Sequence, residues 1–517
     1  MSNKNSKFYI TTPIYYVNAD PHIGSAYTTV AADVLARYHR MIGDDVFFLT
    51  GADEHGAKIA KKAKEAGIEP QKFVDEIVAK FKFAWDELNI SNDNFIRTTD
   101  LKHKKAVQNA LQYMYDKGDI YKGEYEGLYC KGCEQYKSEK DLIGGKCPDH
   151  NKKPEKTSEE CYMFKMSKYS EKILEKIKSD EFKIRPTNRK KEILNFYRDG
   201  LKDIAFSRKN VKWGIPLPWD KSHTVYVWAD AFLNYITGIG LSGDLKDKLY
   251  FKNLTEKWWP ANLHLMSKDI LRVHATIWPA MLLALDLPLP KELFIHGFFL
   301  IDGQKMSKSL GNIIAPSDMV KKYGVDGVRY LLMSATLFGH DGDIGWKKFD
   351  EKYNADLANG LGNLVARSIT LAEKMRNVGL KMQKSKIKNQ NDNSKCKINK
   401  LLKYKKKIES VEIDKAIDII FGEIKFLDNL ITTEKPWEMI KNKDENVGEI
   451  MYNILERIRI IAWMLLPFMP DTTKKIWTQL GLSPAEEMKK DFNKAVEWGG
   501  LSANTKIKKG ESLFPRV

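Results

Sequence analysis

Along the first 120 residues the apolar and polar positions follow two alternating rhythms. The run FYITTPIYYV (residues 8–17) is β-branched and aromatic, and the turn signal Asn18-Ala19-Asp20-Pro21 closes it, so it predicts a strand. From residue 22 to 42 the period lengthens. Ala26, Val30, Val34 and Tyr38 recur at four-residue spacing up to Gly43, which predicts a helix. VFFLTGAD (residues 46–53) again reads as a strand, and a Lys/Ala-rich helix runs on to Gly67. Strand, helix, strand, helix predicts a right-handed parallel α/β unit.

Between about residues 121 and 221 the texture changes. Turns, glycines and cysteines crowd residues 123–150, and Lys-rich stretches follow. The α/β texture returns in TVYVWAD (224–230), NLHLMSKD (262–269), a helix into Leu285, and ELFIHGFFLI (292–301). One α/β domain interrupted by an insertion is the simplest reading. Beyond about residue 348 strand signals nearly vanish. Long helical patterns over 351–378, 398–430 and 449–467 predict a helical bundle.

Composition narrows the class. At roughly 150 residues per domain, 517 residues suggest about three domains. With 43% apolar and 30% charged residues the chain is not of the disordered type. The absence of any run of ~18 apolar residues predicts no membrane span, and MSNKNSKFYITT lacks the apolar core of a signal peptide. Five cysteines, four of them between Cys130 and Cys161, do not resemble a secreted disulfide framework. A cytoplasmic multidomain protein is expected. The 85 basic against 68 acidic residues, a net +17, suggest a polyanionic partner. Residues 381–407 carry eleven lysines against Asp392 alone and read as a solvated linker, able at most to raise nucleic-acid affinity in a salt-dependent way.

Three groups of residues carry chemistry. Pro21-His22-Ile23-Gly24-Ser25 stands at a strand-to-helix corner, where free N–H groups and the positive helix end suit a phosphate. His22 adds a donor there, and Gly24 lets a flat ring approach the backbone; a plain helix cap explains the same residues. Lys305-Met306-Ser307-Lys308-Ser309, between Gly303 and Gly311, is a loop able to fold over a triphosphate and neutralise a leaving pyrophosphate. Cys130-x2-Cys133, thirteen residues, then Cys147-x2-His150 has the spacing and donor set of a tetrahedral zinc knuckle; four protein ligands make it structural. Cys161 and Cys396 read as ordinary thiols.

The first two motifs, in this order and about 280 residues apart, resemble the paired signatures of class I aminoacyl-tRNA synthetases. Much of the chain resembles the methionyl-tRNA synthetase family, through LTGADEHG, TVYVWADAFLNYI, HLMSKDILRVHA and HGFFLIDGQKMSKSLGN, and then through ADLANGLGNLVARS and EKPWEMIK. The resemblance implies a Rossmann-like parallel-sheet α/β catalytic domain (residues 1–120 and 223–300) split by a connective insertion with a zinc knuckle (121–222). A linking region bearing the lysine loop (301–350) and an all-α anticodon-binding bundle (351–517) would follow. It also implies ATP binding by His22, Gly24, Ser25, His296, Lys305 and Lys308, with His22, Ser25, Lys305 and Lys308 serving catalysis. Asp53 would hold the methionine ammonium, and Ile14, Trp228, Ala231, Tyr235, Ile270 and His274 would surround its side chain. Tyr235 could also donate to the sulfur. Asn363, Arg367 and Trp437 would read the anticodon of tRNA(Met).

The implied partners are ATP with Mg²⁺, L-methionine and tRNA, with one structural Zn²⁺, in a monomer without membrane attachment. The family signature usually ends in a second histidine; here Ser25 replaces it, which puts the contribution of that position in doubt. The competing readings are another class I synthetase, such as the cysteine or leucine enzyme, and a catalytically silent tRNA-binding homologue. Neither the expected zinc placement of the first nor the large editing insertion of the second is evident, and the intact His22, Gly24, Asp53, Lys305 and Lys308 speak against the third.

Overall fold

The computed structural model describes residues 6–132, 135–137, 139, 142–148, 151–209, 211–241, 256–306, 311–383 and 390–517. Its centre is a parallel sheet. From one edge the strands run Tyr15–Tyr16, Asp45–Asp53, Lys7–Thr11, Leu263–Ser267, Glu292–His296 and Lys183–Arg185, and Asn94–Arg97 also pairs with Asp45–Asp53. The halves of the domain meet between Lys7–Thr11 and Leu263–Ser267. In an open parallel sheet the ligand crevice lies beyond the carboxyl ends of the strands at such a switch point.

Local chemistry explains where elements differ from their sequence patterns. The apolar run 8–17 forms two strands. Thr12 N still donates to Leu49 O at 3.1 Å, but Pro13 has no N–H to continue the ladder. The run 292–301 divides at Gly297, where a Cβ would fall 2.2 Å from the His340 carbonyl carbon. Its second part, Phe299–Ile301, belongs to a separate small sheet with Gln304–Lys305 and Gly342–Ile344. TVYVWAD is a strand only over Thr224–Val225 and then turns into the helix Val227–Ala231. A short run that is apolar throughout does not reveal its period.

The connective region is an antiparallel sheet ordered Gln135–Lys137, Ile120–Cys130, Glu155–Phe164 and Ile204–Ala205. Lys183–Arg185, which lies within residues 121–222, pairs instead with Glu292–His296 in the central sheet. The linker read from charge over 381–407 gives way to helix in its later part, whose residues from 398 belong to the helical pattern already predicted. From Gln390 it is a helix, Gln390–Glu409. Tyr404 and Ile408 are fully buried, the Tyr404 hydroxyl donates to Met464 O at 2.9 Å, and Lys403 and Lys406 face solvent. An apolar stripe of period near 3.6 suffices for a packed helix even when the other face is cationic.

The helical part packs on the α/β domain across a continuous apolar core, with one charged group buried in the seam. Arg329, on the helix Pro316–Ser334, is fully buried and donates to Phe468 O (2.8 Å), Pro467 O (2.9 Å) and Leu88 O (3.1 Å). Its Nη2 lies 2.7 Å from Asp33 Oδ2 on the helix Ile23–Met41. Asp33 is buried as well and accepts from Arg37 Nε, Ser91 N and Ser91 Oγ. Burial opposes ionisation of Asp33, but Arg329 and Arg37 outweigh it and hold the carboxyl below its ordinary value.

Removing either partner leaves an uncompensated buried charge. Arg329→Ala and Asp33→Ala should each cost roughly 3–5 kcal/mol of unfolding free energy in denaturant titrations, and the double variant less than the sum. Because Asp33 has a lower pKa folded than unfolded, its stabilisation is full above the unfolded value near ~3.9 and drains as pH falls through the folded one. The stability of Asp33→Asn should therefore fall less steeply than that of the parent below roughly pH 4.

Candidate active site

The corner after the first strand builds its own donor. His22 is extended and caps the helix Ile23–Met41. Gly24 N donates to His22 Nδ1 at 3.0 Å, so in the neutral ring the proton resides on Nε2. Ser25 completes a capping box: its Oγ accepts from His22 N at 3.2 Å and donates to His22 O at 2.7 Å. The serine hydroxyl proton, expected from sequence to reach a phosphate, is directed to the His22 carbonyl, and Ser25 is buried. Gly24 also has a reason within the corner itself. A Cβ there would lie 2.8 Å from His22 Cε1 and 3.4 Å from the Met306 methyl, so the histidine ring itself occupies the space over the glycine.

This corner opens into a cavity of 460 Å³ at the carboxyl ends of the central strands. Asp53 ends the strand Asp45–Asp53, and Ser267, Asp269 and Ile270 follow the end of Leu263–Ser267. His296, Gly297 and Phe298 follow Glu292–His296. Ile14, Trp228, Ala231, Tyr235 and His274 line the same cavity, as do His22, Gly24 and Ser25. All seven residues expected around methionine thus share one cavity with four of the six expected at ATP. Of the remaining two, Lys305 lies on the strand Gln304–Lys305 with its side chain outside the described atoms. Lys308 lies outside the described residues. Phe232, Asn234, Asp269, Phe298, Met306 and Gly132 also line the cavity. Sequence reading missed them although Phe232 and Asn234 sit inside the motif that contributes Ala231 and Tyr235.

The wall formed by the last elements is uncharged. His274 Nδ1 donates to Ile270 O at 2.9 Å, so its Nε2 accepts from the Tyr235 hydroxyl at 2.8 Å. Burial lowers the His274 pKa to about 4, and the imidazole is neutral at physiological pH. The Tyr235 proton therefore points to His274 here and not into the cavity. Tyr235 is held further by the His264 ring, 4.2 Å away between centroids, and by Tyr9, whose hydroxyl donates to Tyr235 O at 2.6 Å. On the opposite side, burial brings His296 to about 4; its Nδ1 donates to Gly297 O and its Nε2 accepts from Thr28. Asp341 braces this edge by accepting from Phe298 N at 2.8 Å and from Lys268 Nζ at 2.5 Å.

Of the expected zinc ligands, Cys130 ends the strand Ile120–Cys130 and Cys147 lies in a tight hairpin; both are buried. Gly144, Gly145 and Asn151 adopt left-handed conformations around that hairpin, and Asn151 N donates to Cys147 O at 2.8 Å. Cys133 and His150 lie outside the described residues. In the helical part, Asn363 opens the helix Asn363–Asn377 and is exposed. Arg367, one turn on, pairs with Asp428 at 2.8 Å. Trp437, 40% exposed, starts Pro436–Lys441, a helix packed against Asn363–Asn377.

The comparisons with known proteins agree with this geometry. Residues 8–156 and 140–369 match the family model of class I (M) tRNA synthetases, and residues 385–517 that of the anticodon binding domain of methionyl tRNA ligase. The methionine–tRNA ligase of Clostridium acetobutylicum is 46% identical over 520 residues, covering 100% of this chain and 79% of its own length. That of Streptomyces coelicolor is 40% identical over 526 residues, covering 99% and 96%. Mycobacterium tuberculosis methionyl-tRNA synthetase in complex with methionyl-adenylate has the same fold, with a TM-score of 0.91 and 33% identity over 99% of this chain and 100% of that one. With a self-capped histidine corner, one cavity at the switch point, and matches that run through both the α/β and the helical parts, the chain belongs to the methionyl-tRNA synthetase family.

Proposed function

We propose that the chain activates L-methionine with ATP and transfers it to initiator and elongator tRNA(Met). The observation that carries this reading is the single cavity shared by Asp53, the uncharged wall and the His22 corner. Methionine fits with its ammonium at Asp53 and its thioether among Trp228, Ala231, Tyr235, Ile270 and His274. Its carboxylate then faces the phosphate corner. Attack of that carboxylate on the α-phosphate gives methionyl-adenylate and pyrophosphate; the terminal ribose 2′-hydroxyl of the tRNA then attacks the activated carbonyl and releases AMP. No covalent enzyme intermediate is required. Alignment and neutralisation of phosphate charge supply the catalysis. His22 donates from Nε2, its ring set by Gly24 N and Ser25, and Lys305 and Lys308 take charge on the leaving pyrophosphate. Mg²⁺ enters with ATP and screens the phosphates.

A zinc ion suits the connective region. Two buried thiols, Cys130 at a strand end and Cys147 in a tight hairpin, with Cys133 and His150 as further donors in the sequence, match its soft tetrahedral preference. Bound there it would fix the end of the strand Ile120–Cys130, two residues before Gly132, which lines the cavity. We read the enzyme as a monomer. Among the described residues no helix is long and apolar enough to cross a membrane. We place the enzyme in the cytoplasm, where tRNA is charged.

Methionine-dependent ATP–pyrophosphate exchange tests the reaction. His22→Ala and Lys308→Ala should each lower its rate on the order of 10²–10³-fold. Ser25→Ala should cost less than His22→Ala, because it removes a cap and not the donor; an equal or larger loss at Ser25 would reverse that ranking.

Elemental analysis should find one zinc per chain, and Cys147→Ser should lose it together with thermal stability. Full zinc retention in that variant would reject the knuckle. Trp437→Ala should weaken charging of tRNA by the ~1–3 kcal/mol of one stacked base while leaving pyrophosphate exchange intact. Equal loss in both assays would instead mean damage to the fold.

A further inference from the structure

Behind the methionine wall lies a buried charged group for which the reaction has no use. Asp230, on the helix Val227–Ala231, is 1% exposed. Its Oδ2 accepts from His55 Nδ1 at 2.6 Å and its Oδ1 from His103 Nε2 at 2.8 Å. The other nitrogen of His103, Nδ1, meets Thr237 Oγ1 at 2.7 Å. Burial alone would raise the Asp230 pKa, but His55 and His103 hold it at about 2, so the carboxylate is ionised with a donor on each oxygen. None of Asp230, His55 and His103 lines the cavity, which rules out direct contact with the substrate there.

The three side chains join elements that each present a residue to methionine. His55 stands two positions after Asp53, the acid placed at the ammonium. Asp230 lies between Trp228 and Ala231, and Thr237 shares the helix Asn234–Thr237 with Tyr235. On its outer side the Asp53 segment is already pinned. Arg97 donates to both oxygens of Glu54, at 2.6 and 2.8 Å, Thr99 donates to it at 2.5 Å, and Trp213 Nε1 donates to Glu54 O at 2.5 Å. What remains to be set is the gap across the pocket, and the Asp230 network is a hydrogen-bonded tie between its two sides. A 1 Å error in such a gap matters for binding and alignment.

We propose that His55, Asp230 and His103 form a positioning device that fixes the distance between the ammonium acid and the thioether wall, and so the length of side chain the site accepts. The inference rests on the placement of the methionine ammonium at Asp53. None of the three residues is a catalytic residue; each acts through the elements it ties together.

The test compares Asp230→Asn, His103→Gln and Thr237→Val with the parent enzyme in ATP–pyrophosphate exchange, using methionine and ethionine, which is one methylene longer. Asp230→Asn and His103→Gln should raise the KM for methionine about tenfold or more and leave the KM for ATP within about twofold. Preference for methionine over ethionine should relax. Thr237→Val, the mildest change, should move both readouts in the same direction, and it decides the matter if the other two variants do not fold. The inference is overturned if the folded variants leave the methionine KM and the ethionine preference unchanged. It is equally overturned if both KM values rise together with that preference intact, since a merely structural role predicts that pattern. Asp53→Asn is run in parallel: a normal methionine KM there removes the pocket reading itself, whereas a raised one with unaffected network variants removes only the network.

Discussion

The buried pair of Asp33 and Arg329 is the contact on which the working geometry depends. Taking two charges out of water costs several kcal/mol per ion, and a pair repays this only when its remaining donors and acceptors are also satisfied. Here they are: the guanidinium reaches three backbone carbonyls besides Asp33, and Asp33 takes Ser91 and Arg37 besides Arg329. The carbonyls of Pro467 and Phe468 belong to the helical part, and Asp33 belongs to the helix that begins at His22. Eleven residues of helix separate His22 from Asp33, about 16 Å at 1.5 Å per residue. Arg329 sits on the first long helix after the lysine loop. One charged cluster therefore holds in register the phosphate corner, the segment following the lysine loop, and the bundle that carries Trp437.

Most of the α/β core was legible because its physics is local. The four-residue spacing from Ala26 to Tyr38 is the buried face of a helix, and it forms one. What was not legible depended on groups that sequence separation hides. Gly297 breaks a strand because the chain at His340 presses against it. TVYVWAD turns helical after Val225, and so short a mainly apolar run has no visible period. Within 381–407 the charge suggests a linker, yet the helix starts at Gln390, eight residues before the helical pattern read from 398. Asp230 meets His55 and His103 across 175 and 127 residues, so nothing local marks it.

At the His22 corner the residues of the signature motif are also an ordinary helix cap. The helix needs its first N–H groups satisfied, and His22 and Ser25 satisfy them reciprocally. That capping fixes the imidazole with Nδ1 inward, which leaves the proton on Nε2. A residue at position 25 must then accept from His22 N and suit the N3 position of a helix; a serine does both. The departure from the family signature at Ser25 is thus compatible with an ordered His22, at the expense of one possible cation.

The cavity walls carry a different constraint. His274 on one side and His296 on the other are both held neutral by burial, and the Tyr235 hydroxyl is occupied by His274, so no charge faces the cavity from these groups. A neutral apolar surface separates substrates that differ by one methylene by only ~1–3 kcal/mol. Dispersion and shape are then all that the wall itself can offer, and both fall away steeply when a contact loosens by half an ångström or more. Selectivity in such a site is limited by how rigidly its two ends are held and not by the polarity of its lining. That is the physical reason for so much hydrogen bonding behind the wall. His264, Tyr9, Thr237 and Asp230 all lie outside the cavity lining, yet each holds an element that lines it.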